Sequence, residues 1–130
     1  MSNTYNIGSS TNQISLEADI DTVGLAASRA IVFDVNGTDP GTAVAHSVDA
    51  TGAIAEQNIG DKSTLKGLRL SVFTKITLTG DDATGRATEA DAIGGTYKLN
   101  GGDDGAKTFT NPTKTYIDPN VFLNFIADLT

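Results

Sequence analysis

The sequence has no cysteine and no tryptophan, a single histidine, a single methionine, and no apolar run longer than a few residues. Without cysteine there are no disulfides, thiolate nucleophiles or sulfur-ligated zinc and iron–sulfur centres, so packing and hydrogen bonds must hold the fold. A membrane-spanning helix needs ~20 consecutive apolar residues, and no segment approaches that, so no membrane insertion is expected. Basic residues are scarce: 9 Lys and Arg stand against 16 Asp and Glu, for a formal charge of −7. Nucleic acids and anionic bilayers attract proteins chiefly through Lys and Arg, which makes neither an expected partner. Aromatics, at 6%, leave few rings for stacking on bases. The opening Met1-Ser2-Asn3-Thr4-Tyr5-Asn6-Ile7-Gly8 lacks the basic and apolar regions of a secretion signal, which implies a protein made and folded in the cytoplasm.

What is present is Gly, Ala and Thr in quantity, over 130 residues that suit one domain. Residues 1–12 are Ser, Asn, Thr and Gly around Tyr5 and Ile7, and read as a polar N-terminal arm preceding a single β-rich domain over 13–130. Ile14, Leu16 and Ala18 alternate with Ser15 and Glu17, the period-two pattern of a half-buried strand. Ala30 to Val35 is a β-branched run ending at the turn signal Asn36-Gly37. From Leu68 to Leu78, Leu68, Leu70, Val72, Thr74, Ile76 and Leu78 share one face, and Arg69, Ser71, Phe73 and Lys75 the other. Ala53 to Gln57 is compatible with a strand or a helical turn, Gly60 to Gly67 reads as a polar connection, and Ala83 to Gly95 as a polar loop or short helix. Tyr97 and Leu99, then Lys107 to Thr110, predict a hairpin across Asn100-Gly101-Gly102, and both Gly-Gly pairs read as turns. The C-terminal segment fits a short helix, with Asp118 as N-cap, Pro119 in the first turn, and Val121, Phe122, Phe125, Ile126 and Leu129 on one face. A strand is the alternative, with Val121, Leu123, Phe125 and Ala127 on one face and Phe122 and Ile126 on the other, and Val, Phe and Ile favour it. Together these signals describe an all-β protein, an antiparallel β-sandwich or small barrel of about seven to eight short strands with a short C-terminal helix.

No catalytic constellation accompanies this pattern. His46 lies in a weak strand segment without a nucleophile-elbow motif, so an edge-strand position explains it. Asp34, Asn36 and Gly37 echo an oxygen-ligand calcium loop, but the third acidic position, Asp39, is displaced and the late bidentate Glu is missing, so Asp34, Asn36 and Asp39 are the candidate ligands. They are weak metal candidates, and a strand end followed by a turn accounts for the same residues. Asp81-Asp82 and Asp103-Asp104, each beside glycine, read first as ordinary turn chemistry. The alternatives are a loop cation site or an acid–base pair for glycoside hydrolysis, the latter disfavoured by the few rings available for a sugar platform.

In composition the chain resembles small structural proteins of phage particles: cysteine-free, with a polar arm, a Thr/Ala/Gly-rich β-core and an apolar end. That resemblance implies a non-enzymatic assembly subunit of a particle or filament, incorporated into a virion, with homo-oligomeric or other subunit partners and no cofactor. Its interface candidates are Tyr5 and Ile7 in the arm and Val121, Phe122, Phe125, Ile126 and Leu129 in the tail. The alternatives are an adhesion module that binds glycan or protein through its loops, and a small-ligand carrier with an apolar interior.

Overall fold

The computed structural model describes residues 3–37 and 40–130. Among them are ten strands in two facing sheets that do not close into a barrel, so the all-β sandwich expectation holds. The strands are β1 (Asn3–Tyr5), β2 (Ile14–Asp21), β3 (Leu25–Phe33), β4 (Thr42–His46), β5 (Ile54–Gly60), β6 (Arg69–Thr77), β7 (Gly94–Asn100), β8 (Lys107–Phe109), β9 (Thr113–Ile117) and β10 (Asn120–Leu129). Two helices, α1 (Lys62–Leu65) and α2 (Ala83–Ala92), interrupt them. The larger sheet runs β1–β10–β6–β3–β4, and the smaller β5–β2–β7–β8. β10 pairs antiparallel with β6 along one edge. Its other edge is shared end to end, antiparallel to β9 at Asn120–Asn124 and parallel to β1 at Ala127–Leu129. Where those partners leave off, side chains continue the bonding: the Asn3 side-chain amide donates to the Ile126 carbonyl in the gap, and the Thr113 hydroxyl to the Asn124 carbonyl at the end of the β9 pairing.

The core forms where inward rows from both sheets meet. β6 contributes Leu70, Val72, Thr74 and Ile76, β10 Val121, Leu123, Phe125, Ala127 and Leu129, β2 Ile14, Leu16 and Ala18, and β7 Tyr97 and Leu99. Phe125 joins the sheets by stacking on Tyr97, with centroids 4.5 Å apart and planes 8° from parallel, while Phe109 tilts against it at 5.2 Å. Gly95 lies on the same face of β7 as Tyr97, and an added Cβ would overlap the Tyr97 hydroxyl. The Gly94-Gly95 pair therefore opens a strand rather than making a turn. Burial pushes the Tyr97 phenol up to about 12. Among the described residues the buried phenol has no hydrogen-bond partner, and the Thr74 hydroxyl is engaged with that of Ser28 at 2.7 Å.

In the C-terminal segment the strand reading holds and the helix reading is corrected. Asp118 and Pro119, joined by a cis peptide bond, form the two-residue turn between β9 and β10, and every second residue from Val121 to Leu129 is buried. The helical stripe arose because Phe122 and Ile126 are apolar too; they occupy the strand's outward face. With strands hydrogen-bonded along both edges, the backbone of β10 is satisfied by its neighbours, and β-branched and aromatic side chains suit that setting. Elsewhere, Ala53–Gln57 resolves into β5, and Ala83–Gly95 is mostly α2, whose N-cap Asp82 accepts from Gly85 at 2.7 Å. The polar connection at Gly60–Gly67 contains α1, built on a reciprocal capping box between Asp61 and Thr64.

The arm is fastened to the domain. The Ile7 amide donates to the Thr130 carbonyl at 2.8 Å, and the Thr130 amide to the Tyr5 carbonyl at 3.0 Å. The Asp103 carboxylate accepts from the Ser9 amide at 3.1 Å, and that of Asp104 from the Asn6 amide at 2.8 Å. The Tyr5 hydroxyl donates to the Gly105 carbonyl and accepts from the Gly102 amide.

Candidate interaction face

Alternation puts every second residue of the larger sheet on its outside, and there the pattern departs from that of a solvated sheet. Across the register run rows of Arg29, Phe73 and Asn124; of Ala27, Lys75 and Phe122; and of Ile31, Ser71 and Ile126. A further row sets Leu25 beside Thr77, Asn120 and Ile117. Phe73 and Phe122, diagonal neighbours, stack with centroids 5.8 Å apart. Phe73 remains 46% exposed, Leu25 59% and Ile117 61%, while Ile31, Phe122 and Ile126 are half-buried. Exposed large apolar side chains gathered on one face in this way are a mark of interaction sites. Beside Phe73 a surface pocket of about 380 Å³ is lined by Arg29, Ile31, Pro40 and Gly41. Gly41 closes its rim at φ +102°, where a side chain would be strained and its Cβ would meet the Val32 carbonyl at 2.9 Å.

Polar groups frame the patch. Arg69 donates to Asp128 at 2.7 Å and the Ser71 hydroxyl to Asn124 at 2.7 Å. Arg29 stands between His46 and Phe73 in the register. The smaller sheet shows the opposite character: its outward positions on β2 are Ser15, Glu17, Asp19 and Asp21, and Lys98 of β7 lies opposite Glu17.

The structure separates the residues singled out from sequence. Tyr5, Ile7, Val121, Phe125 and Leu129 are enclosed in the chain's own core, at 0–1% exposure, and present nothing to a neighbour. Phe122 and Ile126 lie on the outer face. Asp34 accepts from the Asn36 amide at 2.9 Å, a local turn; Asp39 lies outside the described residues. Among the described residues, no group of three or more His, Asp or Glu is placed to hold a metal ion. His46 sits exposed on the edge strand β4, its Nδ1 2.9 Å from the Ser47 carbonyl. The carboxylates of Asp103 and Asp104 bind the arm, and Asp82 caps α2. Sequence reasoning passed over Phe73, Leu25 and Ile117. For Phe73 the signal was present: a large ring between Arg69, Ser71 and Lys75 on the row assigned to solvent.

The fold and this face define an open β-sandwich with an aromatic and aliphatic patch among cations on one outer surface and an acidic row on the other. No protein-family model, curated protein or solved structure matches the chain.

Proposed function

We propose that this chain is a non-enzymatic structural protein, an assembly subunit of a particle or filament such as a virion or tail component. The observation that carries this reading is the apolar outer face of the larger sheet, centred on the Phe73–Phe122 stack. A face that is apolar on the outside as well as the inside suits a sheet covered by a neighbour. The attachment surface is thus the side of the sandwich, and of the tail residues only Phe122 and Ile126 contribute to it. The loop-binding alternative finds less support, because Asp103 and Asp104 are engaged with the arm.

Light scattering coupled to size-exclusion chromatography, with negative-stain microscopy of the same fractions, tests the proposal. Defined oligomers, rings or filaments are expected for the native sequence. Phe73→Ser should weaken them at least about tenfold, as truncation of a central aromatic anchor does. A 13.4 kDa monomer persisting at millimolar concentration would remove the assembly reading.

A further inference from the structure

The two outer surfaces of the sandwich carry opposite charge. On the larger sheet Arg29, Arg69 and Lys75 accompany the aromatic pair, with Asp128 the one carboxylate on the outward rows of β3, β6 and β10. On the smaller sheet Glu17, Asp19 and Asp21 follow one another along the outward side of β2, with Lys98 the one cation on the outward rows of β2 and β7. The chain as a whole is at −7, so the cationic face runs against the general balance. With Arg69 paired to Asp128, two copies meeting through their larger sheets would set Arg29 and Lys75 of one against the same two cations of the other. Like-charge juxtaposition of that kind disfavours association. The complementary surface is the back of the same molecule.

We infer that copies of this chain stack head to tail, the Phe73–Lys75 face of one docking on the acidic β2 face of the next. This rests on the assembly reading above and specifies its partner and geometry. The larger sheet's face measures roughly 30 Å by 20 Å from strand length and spacing. That is of the order of the ~800 Å² per partner in a standard specific interface. Lys98, the one cation on the receiving rows, suits an aromatic partner. Because each copy uses two different patches, the contact propagates into an open stack or closes as a ring, rather than ending at a dimer.

Charge reversal on each face, followed by sedimentation velocity, tests the inference. One variant carries Arg29→Glu and Lys75→Glu, a second Glu17→Lys, Asp19→Lys and Asp21→Lys, and a third carries both sets. All five positions lie on outward rows, and circular dichroism checks that each variant is folded. Either set alone should weaken assembly at least about tenfold. The third variant, and an equimolar mixture of the first two, should recover it. Raising salt from about 0.05 to 0.5 M should weaken the native stack by a similar factor. If the Glu17, Asp19 and Asp21 variant assembles like the native chain, head-to-tail stacking is wrong and the assembly reading stands. A folded third variant that fails to assemble also overturns the stacking. If the native chain is monomeric throughout, the assembly reading itself falls.

Discussion

β2 and β10 have equally regular inner rows and opposite outer rows. Ile14, Leu16 and Ala18 in β2, like Val121, Leu123 and Phe125 in β10, are sealed in the core. Outward, β2 shows Ser15, Glu17 and Asp19, whereas β10 shows Phe122 and Ile126 among Asn and Asp residues. The inner row decides where a strand sits in the sandwich; the outer row decides what the surface can meet. A strand apolar on both sides is the pattern of a sheet buried on both faces, yet here one of those faces is bare.

The contrast between inner and outer rows can be tested by degrees. Phe125→Ala should be the most damaging single change, because it removes the ring stacked on both Tyr97 and Phe109 at full burial. A loss of about 3–5 kcal/mol is expected in urea unfolding. Gly95→Ala acts from the opposite sheet by overpacking: the new methyl displaces the Tyr97 ring. Chemical denaturation should record a loss of about 1–3 kcal/mol. Phe73→Ser, in the same sheet as Phe125 but facing out, loses a half-buried ring and its stack on Phe122, and should cost about 1 kcal/mol in unfolding while weakening assembly. If Phe73→Ser and Phe125→Ala prove equally destabilising, the division of labour between the rows is wrong.

The smallest effect lies on neither face. Arg86 donates to both carboxylate oxygens of Asp118, at 2.6 and 3.0 Å, and holds that carboxyl below its ordinary 3.8. A carboxyl depressed in the folded state adds stability above its unfolded pKa and loses it as pH falls through the folded value. Arg86→Ala should therefore leave the acid limb of the stability curve slightly flatter. The change should be small, because the pair is partly exposed and screened by water.

Much of the sandwich was legible from alternation alone. The inner rows of β2 and β6, the β7–β8 hairpin and the turn at Asn36-Gly37 follow from period-two patterning and turn chemistry. The ambiguity between helix and strand at β10 has a definite cause. Apolar residues on both faces blur a period of two into something that also fits a helix, and only β6, β9 and β1 beside it decide the matter. β9 escaped notice because all five of its residues are exposed, so it carries no inward apolar row to read. Asp103 and Asp104 looked like free loop carboxylates because their partners, Ser9 and Asn6, lie more than ninety residues away. For the interaction face, the individual side chains were visible in sequence, whereas their grouping depends on the order β9–β10–β6–β3 across the sheet.

The parallel pairing of Asn3 with Ala127 also has a consequence for the order in which the fold is completed. Bringing such distant segments together carries a loop-closure entropy that no local turn offsets, and non-local pairings of this kind slow folding. Among the described residues β1 pairs with β10 alone, so it has no place in the sheet until β10 is formed. The earliest described residues of the sequence are thus expected to be fixed last. Until then the free stretch of β10 at Ala127–Leu129 is an open template for strand pairing, and the clasp of Asp103 and Asp104 on the arm is what shuts it.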